Sequence, residues 1–212
     1  MSKMLYKLGF LKLRFSVEKG SKKEKLLLKI VQAENNLKHF ILNILNHQKH
    51  LRNFIDNLNI KKRVTINGIS FVFYDIFLSD ARDGVVREMY RDEYKLNDID
   101  FKPNDIVIDI GGNVGIVSIY LAKKYPFLKI YSFEPVKCNY DNFLENIKLN
   151  KIPDGIINVE NKAITKDGRD VKMFFDRLNS GCSSIFRNTN SNSDEVLNEV
   201  PSITLDNIIK KK

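Results

Sequence analysis

The sequence predicts an α/β fold built on a parallel sheet, and three patterns support that prediction. After residue 100, short apolar runs alternate with helical segments, which is the order typical of a parallel α/β sheet. Before residue 100, two β-rich stretches flank an Asn-Gly pair, and residues 21–58 carry apolar side chains at a helical spacing. We therefore expect a long amphipathic helix and a β-hairpin ahead of the sheet.

The N-terminal part of the chain has a helical pattern. Residues 1–20 carry no firm structural pattern, whereas Ser21 and Glu24 can form a capping box at the start of a helix that ends near residue 58. One face of this helix has an apolar residue at every seventh position, namely Ile30, Leu37, Ile44, Leu51 and Leu58. Helix 21–58 is predicted to pack on the main domain, on a second copy in an oligomer or on a partner. A membrane-surface helix is the alternative.

A hairpin and a connecting helix follow. Residues 63–66 and 69–73 are β-rich, and the Asn67-Gly68 pair between them favours a type I′ turn. Residues 80–96 are predicted to form a polar loop and a short helix. These boundaries divide the chain into a basic helical extension (1–60), a hairpin with its connecting helix (61–99) and the main α/β domain (100–212).

The main domain is predicted to alternate strands and helices. The predicted strands are 106–110, 128–133, 156–161 and 171–175, with an antiparallel orientation open for the last of them. The predicted helices are 114–124 and 138–150, and residues 188–195 are predicted to form a polar loop. Such alternation implies parallel strands joined by crossover helices.

Composition excludes several classes of protein. The 212 residues are 43% hydrophobic and 29% charged, so most of the chain should fold around a core. No apolar run approaches the ~18 residues of a transmembrane helix, and the N-terminus lacks the features of a secretory signal. Two cysteines, Cys138 and Cys182, cannot form a disulfide framework, which favours a cytoplasmic location. No metal-ligand spacing is present, and no metal site is predicted.

The net charge of +9 is unevenly distributed along the chain. Residues 1–64 hold 15 Lys and Arg against 4 Asp and Glu, a net charge of +11. The remaining 148 residues hold 20 basic and 22 acidic side chains, a net charge of −2. Because the main domain has no excess of basic residues, no nucleic-acid partner is predicted.

The strongest chemical signal is a glycine turn after the first strand of the main domain. Asp109 lies near the carboxyl end of that strand, and the turn that follows contains Gly111, Gly112, Asn113 and Gly115. Glycines permit unusual dihedral angles and the close approach of a ligand. The helix that begins here should direct free N–H groups and its positive dipole end at that ligand. Asp109 adds a negative charge, which favours a ligand with a cationic portion over a pyrophosphate.

A second acidic residue, Glu134, ends the next strand. An acidic side chain in this position can hydrogen-bond the hydroxyls of an adenosine ribose. The rival dinucleotide fingerprint, G-x-G-x-x-G, fails on spacing, because Asn113 and Ile116 occupy its second and third glycine positions counted from Gly111. A nicotinamide-dependent oxidoreductase is therefore disfavoured.

The segment 109–115 (Asp-Ile-Gly-Gly-Asn-Val-Gly), followed by Phe133-Glu134-Pro135, resembles the cofactor motifs of class I S-adenosylmethionine-dependent methyltransferases. More narrowly, it resembles the FkbM-type methyltransferases. Further matching stretches occur in the family's order at 142–150, 161–164, 181–184 and 202–206. The resemblance covers about residues 100–206. It implies a Rossmann-like, doubly wound parallel sheet, S-adenosyl-L-methionine as cofactor, and O-methylation of a hydroxyl on a glycan or small-molecule acceptor.

The resemblance also implies roles for individual residues. The glycine turn, including Gly111, Gly112, Asn113 and Gly115, would hold the methionine part of the cofactor. Asp109 would lie near its amino end, Glu134 would bind the ribose hydroxyls, and Asn161 to Ala163 would lie beside the adenine. No catalytic base can be named from the sequence.

The family pattern continues beyond the end of this sequence. In the family, the element at Leu205-Asp206 leads into a strand with the pattern Lys-x-Asp-x-Glu-Gly, whereas this sequence ends at Lys212. We therefore expect the first half of the doubly wound sheet, an exposed apolar edge on the strand of Asp109, and little or no activity of this chain by itself. The alternative is a catalytically inactive remnant that acts as a binding or interaction protein.

Overall fold

The computed structural model describes residues 3–8, 13–18, 21–23, 25–26, 28–30, 32–33, 36–37, 40, 59–76, 81–176 and 194–211. The chain forms two compact units, Met1–Asn57 and Leu58–Lys212. No helix in these ranges is long and apolar enough to cross a bilayer.

The first unit contains a hairpin that the sequence analysis did not predict. Strands β1 (Lys3–Leu8) and β2 (Leu13–Glu18) pair antiparallel, so that Met4 faces Val17 and Tyr6 faces Phe15 across the ladder. Residues 13–18 alternate apolar with polar side chains, whereas residues 3–8 place Met4, Leu5 and Tyr6 in succession. A single six-residue alternation is a weak signal in a lysine-rich sequence, but pairing the two strands is enough to select the extended form.

The N-terminal helix follows, and its described helical residues lie between 22 and 40. The helix begins directly after Ser21, as predicted, and the Lys25 N–H donates to the Ser21 carbonyl oxygen at 3.2 Å. The predicted continuation over residues 41–58 lies outside the described residues.

The second unit opens with the predicted hairpin. Strands β3 (Asn59–Ile66) and β4 (Ile69–Ile76) pair antiparallel over their full lengths. Asn67 and Gly68 have φ angles of 48° and 80°, the two positive values that a type I′ turn requires. Helix α1 (Ala81–Tyr90) and a 3-10 turn (Leu96–Asp98) then lead to the sheet.

The centre of the second unit is a parallel sheet in the order β5-β6-β7. Its strands are β5 (Ile106–Ile110), β6 (Lys129–Phe133) and β7 (Ile157–Glu160), and its crossover helices are α2 (Ile116–Lys124) and α3 (Lys137–Leu149). Both strand pairs are parallel. This arrangement confirms the predicted Rossmann-like α/β fold, with element boundaries that differ from the prediction by one or two residues.

The remaining strands form two separate two-stranded sheets. Strand β8 (Ala163–Ile164) pairs parallel with β11 (Ser202–Ile203), and β9 (Val171–Asp176) pairs antiparallel with β10 (Asp194–Val200). Helix α4 (Leu205–Lys211) follows β11. The polar loop predicted over residues 188–195 is wrong at its end, since residues 194 and 195 belong to β10. The ladder with β9 supplies hydrogen bonds that outweigh the polar composition there.

Apolar side chains pack against the parallel sheet in more than one cluster. The largest buried cluster joins the hairpin residues Ile66, Phe71 and Phe73 to Ile119 of α2 and Phe143 of α3. A second cluster packs Ile208 of α4 with Phe133 and Ile203. Cys138 is exposed and forms no disulfide. Cys182 and the predicted loop serines at 183 and 184 lie outside the described residues.

Candidate functional site

A cavity of about 270 Å³ lies where β5 ends and α2 begins. Its wall is formed by strand residues 107–110, turn residues 111–113, the α2 residues Ile116, Val117 and Leu121, and Val85, Tyr94 and Leu96 from the α1 region. Ligands of open α/β sheets bind outside the carboxyl ends of the strands. The position of this cavity is therefore the one expected of a ligand site.

The glycine turn owes its shape to left-handed backbone and to one buried ring. Gly111 and Gly115 have φ angles of 80° and 86°, and Asn113 has a φ of 50°. The Asn113 side-chain oxygen accepts from the Val114 N–H at 2.8 Å, a local bond that makes this conformation accessible to asparagine. A Cβ atom at Gly112 would overlap Ser132 Oγ and the ring of Phe143, and one at Gly115 would overlap that ring, which is fully buried. Glycine is thus required at Gly115 by the α3 residue packed behind the turn, and at Gly112 by Ser132 of β6 as well.

The N–H groups of the glycine turn, residues 111–115, are bonded within the chain, so the free N–H groups predicted at the start of the helix can begin only at Ile116, the first residue of α2. The N–H groups of Gly111 and Gly112 donate to the Phe133 carbonyl at 2.9 and 3.1 Å, and the Gly115 N–H donates to the Gly112 carbonyl at 2.8 Å. Asn113 donates to Glu134 and Val114 to the side chain of Asn113. These groups fasten the turn to the end of β6, so they do not form an anion site.

Asp109 supplies the charge of the cavity. Among the lining residues that the structure describes, it is the one ionisable acid or base apart from the phenol of Tyr94. Its Oδ2 atom accepts hydrogen bonds from Ser118 Oγ at 2.6 Å and from Ser132 Oγ at 3.1 Å. Burial raises the pKa of the Asp109 carboxyl, and the two hydroxyl donors oppose that rise. A cation in the cavity would favour the charged form of Asp109, so the site favours a cationic ligand.

Glu134 lies behind the turn, outside the cavity wall. Its Oε2 atom accepts from the Asn113 N–H at 2.8 Å, and its Oε1 atom accepts from the Val136 N–H at 2.9 Å and from Asn139 Nδ2 at 3.4 Å. Burial raises the pKa of Glu134 to about 7, against the lowering effect of these donors. The carboxylate therefore joins the end of β6 to the tip of the turn.

Tyr94, which is hydrogen-bonded to Glu88, forms a part of the cavity wall that the sequence analysis missed. The Tyr94 hydroxyl donates to Glu88 Oε2 at 2.8 Å, and Tyr94 lines the cavity. Burial, and next the bond to Glu88, raise the pKa of Tyr94 to about 12. The phenol therefore stays protonated at neutral pH. No spacing in the sequence links residues 88–94 to the glycine turn, because the tertiary fold alone brings them together.

The two residues predicted to lie beside the adenine have structural contacts of their own. Asn161 Nδ2 donates to the carbonyl oxygens of Glu134 and Pro135 at 2.8 and 3.0 Å, which ties the end of β7 to the end of β6. Ala163 is buried, and its N–H donates to the Pro201 carbonyl at 2.8 Å. Neither residue lines the cavity.

Comparison with known proteins finds partial similarity to methyltransferases. No protein-family model matches the chain. The chain is 40% identical over 53 residues to methyltransferase sdnD of Sordaria araneosa, and 33% identical over 52 residues to Methyltransferase 1 of Beauveria bassiana. These matches cover 25% and 24% of the chain, and 20% and 21% of the two proteins. The chain thus spans about a fifth of the length of these curated relatives.

Solved structures show a similar partial likeness. TYW2 of P. horikoshii in complex with MeSAdo has 25% identity and a TM-score of 0.36, over 49% of this chain and 36% of that one. TYW2 of M. jannaschii in complex with AdoMet has 21% identity and a TM-score of 0.35, over 52% of both chains. Because both scores lie below one half, the fold assignment rests on the strand order of this chain. Over the matched quarter of its sequence, the chain is similar to methyltransferases.

Proposed function

We propose that this protein is an S-adenosyl-L-methionine-dependent methyltransferase of the FkbM type that methylates a hydroxyl on a glycan or small metabolite. One observation carries the proposal. Two carboxyls, the half-buried Asp109 and the buried Glu134, lie at the carboxyl ends of adjacent parallel strands, with a glycine turn fastened between them. The partial similarity to methyltransferases supports the same activity. We place the protein in the cytoplasm because two cysteines suit a reducing compartment.

The residues of the cavity fit this cofactor by charge. The sulfonium and the amino group of S-adenosyl-L-methionine are both cationic, and Asp109 is the one acidic side chain that lines the cavity. Both hydroxyl donors reach Oδ2 of Asp109, so Oδ1 can accept from a ligand. The volume of about 270 Å³ lies just below the ~300–1,000 Å³ of pockets that enclose a drug-sized ligand. The cavity is therefore large enough to hold only a part of the cofactor.

Glu134 fits the ribose by its remaining acceptor capacity. An ionised carboxylate offers about four acceptor sites, and three donors already reach Glu134 in the described part of the chain. At least one ribose hydroxyl could therefore bond to it. Burial raises the pKa of Glu134 to about 7. A ribose hydroxyl that donates to this carboxyl would lower the pKa again, because it stabilises the charged form.

When bound, the cofactor would supply an electrophilic methyl group. The chain's own residues would hold the cofactor in a fixed orientation. The rate of methyl transfer to an acceptor bound beside it would then gain from proximity and alignment. Tyr94 would line the cavity as a protonated phenol, so it is unsuited to accept a proton. We assign no base for the acceptor hydroxyl within the described residues.

The test is calorimetric binding of S-adenosylhomocysteine to the purified chain. We expect binding by the wild type and a loss of about 10- to 150-fold in affinity for Glu134→Ala, since a hydrogen bond to a charged group is worth roughly 1.5–3 kcal/mol. The control is Glu145→Ala, whose side chain is exposed and bonds only to Lys148 within the described residues. That variant should bind within about twofold of the wild type.

Two other results would contradict the proposal. Binding of NADH without binding of S-adenosylhomocysteine would indicate a nicotinamide-dependent enzyme. Binding of neither ligand, by a chain that unfolds cooperatively in urea, would indicate the alternative function, an inactive remnant with a binding or interaction role.

A further inference from the structure

A second cavity, of about 250 Å³, lies where the hairpin β3–β4 meets the ends of α2 and α3. Three basic side chains from three different elements line it, and no acidic side chain is among the lining residues that the structure describes. The basic residues are Arg63 of β3, Lys123 of α2 and Lys151, which lies two residues after the end of α3. The cavity therefore concentrates positive charge, which attracts an anion.

This basic cavity is separate from the candidate functional site. The site with Asp109 lies at the start of α2, whereas Lys123 lies in the last turn of the same helix. The two cavities share no lining residue. A ligand of the basic cavity would therefore be a different molecule from the one bound beside Asp109.

Hydrogen bonds fix the backbone on which two of the cations lie. Arg63 lies opposite Val72 in the ladder of the hairpin. The Val72 N–H donates to Asn150 Oδ1 at 2.9 Å, and Lys151 is the next residue along the chain. The hairpin and the end of α3 are thus held together before any ligand arrives, which lowers the cost of ordering them around an anion.

The three cations have no anionic partner in the described part of the chain. None of them forms an ion pair or a side-chain hydrogen bond with another described residue. Lys123 and Lys151 lie near the carboxyl ends of α2 and α3, where a cation also counters the helix dipole. Arg63 lies on a strand, so helix dipoles do not explain the whole cluster.

The floor of the basic cavity is apolar, and its rim is polar. Phe71 is buried, Val72 and Leu149 are half-buried, and Arg63 and Lys151 are exposed. A ligand that matches this division has an anionic group at the rim and a carbon portion over the floor. A volume of about 250 Å³ suits a ligand smaller than the drug-sized molecules held by pockets of ~300–1,000 Å³.

The donors at the rim match a phosphate group. A phosphomonoester carries nearly two negative charges at neutral pH and three acceptor oxygens, and the guanidinium of Arg63 can donate to two of them side by side. Ser70 also lines the cavity, and its Oγ atom lies 2.7 Å from Thr65 Oγ1. If Ser70 accepts from Thr65, its own proton can be donated to the ligand.

The charge of the surrounding domain favours a small ligand over a nucleic acid. Residues 65–212 have a net charge of −2, with 20 basic and 22 acidic side chains. A nucleic-acid strand needs positive charge along an extended surface, whereas one phosphate needs only a local cluster. The positive charge of this cavity is therefore of the local kind.

We propose that the basic cavity binds a phosphomonoester of a small molecule, with the phosphate between Arg63, Lys123 and Lys151 and the carbon portion over Val72 and Leu149. The proposal is independent of the proposed function, because the two cavities share no residue and the test uses no cofactor.

The test is calorimetric titration of the full chain with inorganic phosphate and with phenyl phosphate at constant ionic strength. We expect both to bind, and phenyl phosphate to bind at least about threefold more tightly, because its ring covers apolar surface of the floor. The triple variant Arg63→Gln with Lys123→Gln and Lys151→Gln should lose at least about fivefold in affinity for phenyl phosphate, since three ion pairs are removed.

The control is a triple variant with the same change of net charge. Lys129→Gln, Lys166→Gln and Lys172→Gln replace three exposed lysines that do not line the cavity. This variant should bind phenyl phosphate within about twofold of the wild type, because exposed charges outside the cavity are screened by salt. Far-UV circular dichroism and urea midpoints check that both triple variants remain folded.

Several outcomes would overturn the proposal. A folded wild-type chain that binds neither phosphate compound has no such site. Equal losses in the two triple variants would show that net charge alone attracts the anion. Lower urea midpoints for Lys123→Gln and Lys151→Gln, with unchanged affinity for phenyl phosphate, would show that these cations serve the helix ends only. Binding of a short single-stranded RNA that depends on the three cations, without binding of phenyl phosphate, would identify a nucleic-acid contact instead.

Discussion

Two glycines of the turn have the same backbone conformation and different surroundings. Gly111 and Gly115 have φ angles of 80° and 86°, but a Cβ atom at Gly111 would meet open space and one at Gly115 would overlap Phe143. Strain from a positive φ therefore acts at both positions, and steric overlap acts at Gly115 alone. This difference separates the two reasons for which a chain requires glycine.

We predict that Gly115→Ala lowers the free energy of unfolding by roughly 2–4 kcal/mol, against about 1 kcal/mol for Gly111→Ala. Urea unfolding monitored by circular dichroism measures both. In a Phe143→Leu background the two glycine variants should differ by less, because the smaller side chain relieves the overlap. Equal losses for the two alanine variants in the wild-type background would show that Phe143 does not restrict the turn.

Glu134 makes the stability of the protein depend on pH. Its pKa is raised from 4.5 to about 7 by burial, so the folded state holds a proton that the unfolded state releases at lower pH. Stability from this group is fully present below pH 4.5 and is lost as the pH rises towards about 7. The raised pKa of Asp109 acts in the same direction.

We predict that the wild type loses on the order of 3 kcal/mol of unfolding free energy through Glu134 between pH 4.5 and 7.5, at about 1.4 kcal/mol per pKa unit. Glu134→Gln has no proton to lose and should flatten this part of the profile. Urea titrations at four pH values in this range, on both proteins, provide the comparison. Parallel profiles would mean that Glu134 titrates normally in the folded protein.

At the scale of elements, helix α3 is joined to the hairpin by asparagine side chains. Asn146 is fully buried, accepts from the Tyr74 N–H at 2.6 Å and donates to the Val114 carbonyl at 2.9 Å. Asn150, one turn later, accepts from the Val72 N–H at 2.9 Å. These amides satisfy the backbone of β4 where another strand would otherwise pair. They also connect the hairpin to the residue that follows Asn113 in the glycine turn.

We predict that Asn146→Ala destabilises the protein by roughly 2–6 kcal/mol, because it removes the partner of the part-buried Tyr74 N–H and of the buried Val114 carbonyl, at roughly 1–3 kcal/mol each. The matched control is Asn158→Ala, whose exposed side chain makes one long bond of 3.4 Å to the Gly155 carbonyl. That change should cost less than about 0.5 kcal/mol. Urea unfolding midpoints of the two variants measure this difference. Similar midpoints would show that Asn146 does not stabilise the contact between α3 and β4.

Elements were predictable where local pattern and tertiary context agree. The type I′ turn at Asn67-Gly68, strand β5 and helix α3 follow from local pattern, and the structure confirms them. The hairpin β1–β2 and the first residues of β10 did not follow, because pairing with a partner strand decided their conformation.

At the scale of the whole molecule, the outer strand of the parallel sheet exposes apolar side chains. In the order β5-β6-β7, one edge of β5 has no strand partner among the described residues. Ile106 and Ile110 on this strand are 48% and 58% exposed. An apolar strand edge of this kind promotes association between molecules.

We predict that Ile106→Glu reduces concentration-dependent light scattering of the chain while changing its stability by less than about 1 kcal/mol. Ile106 lies opposite Lys129 in the ladder, so the new carboxylate gains a cross-strand partner. The control is Ile99→Glu, since Ile99 is 46% exposed but lies outside any strand. An equal reduction by both variants would point to added charge alone.

The sequence by itself determined the order of elements and the chemistry of the strand ends. Alternating apolar runs predicted the parallel sheet, and the glycine turn with Asp109 and Glu134 indicated the position of the candidate site. These features are local, since each depends on residues close together along the chain.

Only the tertiary structure decided how those residues interact. It brought Tyr94 onto the cavity wall, placed Phe143 behind Gly115 and committed the turn's N–H groups to Phe133 and Glu134. Each of these contacts joins residues that are distant in the sequence, and their geometry depends on how α1, β6 and α3 pack against the turn. Local pattern carries no information about such packing, because many sequences with the same periodicity would place different side chains there.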